Sequence, residues 1–129
     1  MKLITVLTPD FFFPDERGTL TQIARGGYSQ INAIYTKKGA VRGNRHYHRT
    51  TKEAFYIIRG SVRVTVWRDG ETESAVFGDG DYFRIDEYTA HTFEYLADTY
   101  LVVLYTVPVE KEDGTKDIVS DGPEKGVNQ

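Results

Sequence analysis

Between Glu53 and Trp67 the chain is written in a two-residue period. Ser61-Val62-Arg63-Val64-Thr65-Val66-Trp67 alternates polar and apolar side chains as far as Val66, the pattern of a strand with one face buried. Glu53-Ala54-Phe55-Tyr56-Ile57-Ile58 precedes it, and Arg59-Gly60 between the two predicts a hairpin turn. Helical periodicity is almost absent from the rest of the chain. Asp69-Gly70 and Gly78-Asp79-Gly80 close the runs that follow, while Gly26-Gly27 and Lys38-Gly39 mark earlier turns. Further strands are predicted over residues 3–7, 19–24, 29–36, 82–85, 89–95 and 100–107. Nine tyrosines and seven phenylalanines agree with this, because flat rings pack well on a pleated surface. Short strands at near-regular spacing predict an all-β sandwich or barrel.

At 129 residues the chain is the size of one domain and long enough to bury a core without covalent staples. The apolar pattern ends near Pro108, so residues 1–109 are expected to form the barrel and 110–129 a polar C-terminal tail, poorly ordered unless it packs on a partner. No stretch approaches the ~20 apolar residues of a membrane span, so no membrane association is expected. The opening Met1-Lys2-Leu3-Ile4-Thr5-Val6-Leu7 lacks the length and cleavage site of a signal peptide, and a cytoplasmic protein is expected. The absence of cysteine excludes a disulfide framework, zinc–thiolate sites, iron–sulfur clusters and thiol catalysis.

The net charge of -3 is unevenly spread. Residues 110–129 carry six acids and three bases, so the body balances. Within it, residues 37–68 hold nine bases and a single acid, Glu53. A band of this kind raises the local potential and suits an anionic small ligand, although a solvated strand face has the same composition. An acidic pI without a stacked-aromatic basic motif argues against nucleic acid.

The chain has three histidines, His46, His48 and His91. His46 and His48 are two apart and face the same way on a strand. Glu53, at the start of the next strand, supplies a carboxylate. Neutral imidazoles with a carboxylate are a donor set that divalent zinc, manganese, iron or nickel accepts.

His46-x-His48-x4-Glu53-x6-Gly60 resembles the first cupin motif from its first histidine to its final glycine. Gly80-x5-Asp86-x-Tyr88-x2-His91 resembles the second in spacing, with Asp86 and Tyr88 standing where that motif carries proline and glycine. The resemblance implies a double-stranded β-helix, the cupin jelly-roll barrel, and puts His46, His48, Glu53 and His91 on its four metal-ligand positions. Some cupin relatives keep these histidines without a metal and use one as a general base. Asp15-Glu16-Arg17-Gly18-Thr19-Leu20, then Val41-Arg42-Gly43 ahead of the histidine pair, is similar to the nucleotide-sugar branch. That branch includes deoxysugar 3,5-epimerases, sugar 3,4-ketoisomerases and the C-terminal cupin of a capsule-synthesis enzyme. Those relatives place one residue between Arg-Gly and the first histidine. Here there are two, Asn44 and Arg45, an insertion expected to shift Arg42.

The branch implies epimerisation or ketoisomerisation of a 4-keto hexose, by removal of a proton beside a carbonyl. A metal would stabilise the enolate as a Lewis acid, and without one hydrogen-bond donors must do so. His46 or His48 is the base in a metal-free site, with Glu53 as its orienting partner. Tyr56 and Tyr105 are candidate acids by analogy with the epimerases' tyrosine, with satisfied core packing as the alternative for each. Arg17, Arg42, Arg45 and Arg63 are candidate clamps for a nucleoside diphosphate sugar, since the guanidinium fork matches phosphate oxygens. Tyr47 alternates away from the histidines and should face outward. Other readings stay open at this point: a metal-dependent oxygenase, a sugar-phosphate isomerase, or a non-catalytic ligand-binding cupin. A homodimer is expected, because cupins commonly pair through edge strands.

Overall fold

A computed structural model describes residues 1–120, and it contains strands and no α-helix among them. The strands are β1 (Ile4–Val6), β2 (Phe11–Asp15), β3 (Gly18–Gln22), β4 (Gln30–Thr36), β5 (Val41–Tyr47), β6 (Glu53–Arg59), β7 (Ser61–Arg68), β8 (Glu71–Gly78), β9 (Tyr82–Ile85), β10 (Ala90–Tyr95), β11 (Thr99–Tyr105) and β12 (Val119–Ser120). Two five-stranded sheets hold ten of them, in the orders β1-β9-β6-β11-β4 and β12-β5-β10-β7-β8. From β4 onward the chain passes repeatedly from one sheet to the other, and the pairings are antiparallel. This is the jelly roll that the strand pattern and the resemblance implied. The hairpin β2–β3 forms a separate two-stranded sheet.

The period-2 reading of β7 holds at every residue that matters. Val62, Val64 and Val66 are fully buried, while Arg63 on the opposite parity is exposed. Their face meets Phe55 and Ile57 of β6, Phe83 of β9, Phe93 of β10 and Leu101 and Val103 of β11, all buried in one cluster. Four rings stack through its centre, with Phe77–Phe83 centroids 4.0 Å apart and Phe55–Phe93 centroids 4.7 Å apart. Aromatic contacts at these separations add to the burial of area itself. The two sheets are held together by this apolar layer.

The predicted hairpin at Arg59-Gly60 is corrected. β6 pairs with β9 and β11, whereas β7 pairs with β8 and β10. Gly60, at φ 135°, is the corner where the chain leaves one sheet for the other, so a turn signal alone does not report which strands pair. Three strands lie outside the predicted runs: β2, β5, which the reading of His46 and His48 implied without bounds, and β12 near the C-terminus.

The polar segment from Glu110 does not stay clear of the barrel over its described part. Val109 is buried, Ile118 packs against the core, and β12 pairs with β5 through Val119 opposite Tyr47 and Ser120 opposite His46. The Asp117 carboxylate accepts hydrogen bonds from the Arg49 and Thr50 amides, each 2.8 Å, and from the Thr50 hydroxyl, 2.7 Å. Residues 109–120 thus form a strap across one end of the barrel. The remainder of the expected tail, from Asp121, lies outside the described residues.

Candidate functional site

β5 delivers His46 inward on the parity opposite to Tyr47, and His48 follows at the strand's end. Glu53 opens β6 and His91 lies near the start of β10, directly across the sheet from His46. The close approach of β5 to β10 requires Gly43. A Cβ there would lie 2.8 Å from the His91 carbonyl oxygen, and the residue sits at φ 93°. The one-residue insertion falls in a β-bulge at this point. Between the pairs His91–His46 and Phe93–Arg42, β10 advances by two residues and β5 by four. Gly43, Asn44 and Arg45 all have positive φ, and the Arg45 amide donates to Thr92 Oγ1 at 2.9 Å. Bulges of this type re-aim side chains, and here the bulge brings His46 back into register with His91.

His46, His48, Glu53 and His91 are each at most 5% exposed. Each offers one donor atom, and all four atoms lie within 4.8 Å of one another. Glu53 Oε1 is 2.8 Å from His48 Nε2 and 3.3 Å from His91 Nε2. On the far side of the rings, His48 Nδ1 donates to the Asp117 backbone carbonyl and His91 Nδ1 to that of Thr89 at 3.2 Å. Those carbonyls accept only, so they fix the Nδ1–H tautomer in the neutral rings. Both Nε2 lone pairs then face a carboxylate oxygen, an arrangement stable only with a proton or a cation between them. Three imidazole nitrogens and a carboxylate, buried and converging, fit a divalent metal.

The electrostatics of the metal-free cluster follow from the same contacts. Burial works against the charged form of His48, but Glu53 outweighs it and raises the pKa. Burial likewise opposes ionisation of Glu53, and the neighbouring His48 and His91 overcome it, holding the carboxyl below its ordinary range. At His91 burial prevails over Glu53 and lowers the pKa. Of the two rings, His48 is therefore the one that takes up a proton first as pH falls. A raised pKa means that the contribution of His48 to stability is complete below about 6.5 and is lost as pH rises through its folded value. Imidazole NMR on chelator-treated protein should show His48 titrating above 6.5 and His91 below it. In Glu53→Gln the His48 midpoint should fall, because both Glu53 contributions are lost and only Asp117 is left to oppose burial. An unchanged His48 midpoint in that variant would refute the pairing.

Tyr105 joins the cluster: its ring stands edge-on to His48 at 6.4 Å, and Asn32 lines the same cavity. Burial, then Glu53, push its pKa well above the ordinary phenol range. Tyr56 is not brought in. Glu53, Phe55 and Ile57 point inward on β6, so Tyr56 faces outward and packs with Ala54, Tyr82 and Leu104. None of the four predicted arginines lines the cavity beside the histidines. Arg17 is bonded to Asp15 at 2.6 Å in the β2–β3 turn. The Arg42 Nε donates to Thr36 Oγ1 at 2.9 Å. Arg45 stacks on Trp67, 4.4 Å from its ring centroid, and Arg63 is exposed on the outer face of β7.

That cavity is bounded by His46, His48, Gln30, Asn32 and Tyr105 from the barrel, with Val109, Glu110 and Ile118 of the strap. Its volume is about 10 Å³, room for a single water. Sequence reasoning did not find the strap residues. Their ties run through a backbone carbonyl and a capping carboxylate, which no residue pattern announces.

The cupin domain family profile matches residues 34–107. Among solved structures, the sugar 3,4-ketoisomerase QdtA from Thermoanaerobacterium thermosaccharolyticum, in complex with TDP, has TM-score 0.79 at 17% identity, covering 94% of this chain and 90% of that one. The dTDP-4-dehydrorhamnose 3,5-epimerase from Sulfolobus tokodaii has TM-score 0.69 at 23% identity, covering 81% and 70%. The TDP-quinovose 3,4-ketoisomerase WlaRB from Campylobacter jejuni has TM-score 0.74 at 15% identity, covering 91% and 94%. At these identities the likeness is one of fold. No curated protein sequence matches the chain.

Proposed function

The chain belongs to the cupin domain family, and we propose that it is a carbohydrate isomerase or epimerase acting on a nucleoside diphosphate 4-keto hexose. The observation that carries this reading is the buried convergence of His46, His48, Glu53 and His91, with the Tyr105 ring against His48. Support comes from the sugar-nucleotide ketoisomerases and epimerases that share the fold across most of the chain.

The chemistry is removal of a proton from the carbon next to the ketone, and its return to the opposite face or to a neighbouring carbon. His46, His48, Glu53 and His91 would hold a divalent ion, zinc, manganese, iron or nickel, which would supply Lewis acidity to the enolate. In the metal-free form a histidine takes the proton, with Glu53 beside His48 to stabilise the imidazolium. Tyr105 stays protonated at neutral pH because burial, then Glu53, raise its pKa, so it is equipped to give a proton back.

A hexose does not enter a cavity of about 10 Å³, so the strap must leave the mouth for the reaction to occur. The closed mouth favours one second reading, a cupin that holds a metal without turnover. Deuterium incorporation from heavy water into a thymidine diphosphate 4-keto-6-deoxyhexose, followed by NMR, separates the two. Exchange supports the isomerase, and bound metal without exchange supports the second reading.

A homodimer belongs to the proposal. The outer face of the β4–β11 sheet exposes Ile31, Tyr35 and Tyr100, with the two tyrosine rings 4.6 Å apart. β4 ends that sheet with an open edge, and the β2–β3 hairpin exposes Phe11, Phe12, Phe13 and Leu20. Apolar surface next to an open edge is ordinarily covered. Light scattering should give the mass of two chains, and Ile31→Asp with Tyr35→Asp should reduce it to one. A wild-type monomer would refute the dimer.

A further inference from the structure

A groove of about 430 Å³ runs along the outer face of the second sheet, behind the histidine cluster. Arg45 and Tyr47 of β5, Trp67 of β7 and Tyr88 of the loop before β10 form its aromatic part. Because β5 alternates, Arg45 and Tyr47 face this groove while His46 and His48 face inward. The volume is in the range of small-molecule sites.

The backbone is strained to build it. Of the four non-glycine residues with positive φ among those described, Arg45 (60°), Asp69 (49°) and Tyr88 (59°) line the groove, and Asn44 (35°) precedes Arg45. Asp69 is ordinary, since Asp-Gly turns favour that conformation. For Arg45 and Tyr88 the left-handed region is unfavourable, because the Cβ crowds the following carbonyl. At Tyr88 burial does not offset the cost: the ring is 55% exposed, 6.0 Å from Tyr47, and its amide donates to the His48 carbonyl at 2.8 Å. An exposed ring held in an unfavourable backbone conformation is shaped for something that stacks on it. The floor is rigid as well, with the Arg45 guanidinium 4.4 Å from the Trp67 ring centroid.

The charges of the lining select the ligand. Within the lining Arg45 and Arg68 are balanced in number by Asp69 and Glu71; Arg68 lies 3.6 Å from Asp69, and Glu71 is paired at 2.9 Å with Lys2 outside the groove. A lining without net charge gives an anion no pull. It offers forked donors and acceptors, which match adjacent hydroxyl groups, beside aromatic faces that accept the C–H face of a ring. We infer that this groove is a binding site for a neutral pyranose ring, separate from the histidine cluster.

Trp67 is the only tryptophan, so indole emission reports on the groove alone. The full chain is titrated with methyl glucopyranoside, methyl rhamnopyranoside and thymidine diphosphate. A saturable change in Trp67 emission is expected with a neutral glycoside, with Kd on the order of 1 mM. Tyr88→Ala should weaken it at least about tenfold, a loss of ~1.4 kcal/mol, and His48→Ala should leave it unchanged. Thr72→Arg, at an exposed position on the rim, blocks the groove without touching the core and stands in if Tyr88→Ala fails to fold. Absence of saturation with both glycosides, or equal binding in the fully folded variants, overturns the inference. So does a response to thymidine diphosphate alone, which would make this a nucleotide site.

Discussion

Replacing His48 with alanine is expected to lower deuterium exchange into a thymidine diphosphate 4-keto-6-deoxyhexose by about a thousandfold, and to remove bound metal at the same time. The magnitude follows from two roles of one ring. Its Nε2 stands 2.8 Å from Glu53 Oε1, inside the set of four donor atoms. Its Nδ1 is tied to the Asp117 carbonyl of the strap. Alanine removes a donor from the set, the partner of Glu53 and one anchor of the strap together. His48→Asn separates these effects, because an amide nitrogen is still able to serve the Asp117 carbonyl while the converging Nε2 is gone. Both variants should lose exchange, and only alanine should loosen the strap, seen as faster amide exchange over residues 109–118. Elemental analysis of the wild type then assigns the chemistry. Near one divalent ion per chain, lost in both variants, puts His48 among the ligands. Active, metal-free wild type makes a histidine the base and Glu53 its partner. Exchange in His48→Ala at the wild-type rate would remove this residue from the mechanism.

Parity along strands carried most of what was legible in the sequence. It placed Val62, Val64 and Val66 inside and Arg63 outside, and it brought His46 and His48 to one face. Motif spacing then joined Glu53 and His91 to them across the fold, and the four lie together in the structure. Parity also reached further than it was pressed. With Glu53 inward on β6, Tyr56 must face outward, and with Tyr47 outward on β5, Arg45 must follow it. Arginines have long stems and no periodic signature, so the basic band predicted an anionic ligand without predicting convergence. Arg17, Arg42, Arg45 and Arg63 end in four different surroundings. The strap escaped for a different reason. A polar segment reads as solvated, yet 109–118 is held by the Asp117 carboxylate on two amides, by buried Val109 and by partly buried Ile118 against the core. Interactions made through the backbone leave little trace in side-chain patterning.

Gly60→Ala is expected to be the most damaging single-methyl change in the barrel, costing at least about 4 kcal/mol. The corner between β6 and β7 crosses from one sheet to the other, and Thr99 of β11 is packed against it. An added Cβ would lie 2.3 Å from Thr99 Oγ1 and 2.7 Å from both Thr99 Cα and Cβ. Two of those atoms are backbone or bonded to it, and Thr99 is fully buried, so rotation of a side chain does not relieve the clash. Its hydroxyl is also engaged, accepting the Ser61 amide at 3.2 Å and donating to the Ala97 carbonyl at 2.9 Å. The backbone at φ 135° adds strain of its own for any residue with a Cβ. At roughly 4 °C per kcal/mol for a chain of this size, the melting temperature should fall by about 15 °C or more. Gly70→Ala is the comparison: at φ 77° it carries left-handed strain with no atom within 4 Å of the new methyl, so about 1 kcal/mol is expected. The difference between the two variants isolates the contact with Thr99. A double variant, Gly60→Ala with Thr99→Ser, should regain little, because the clash includes Cα and Cβ. Equal melting temperatures for Gly60→Ala and Gly70→Ala would mean that the corner yields, and that the last glycine of the first motif serves the turn rather than the packing of β11.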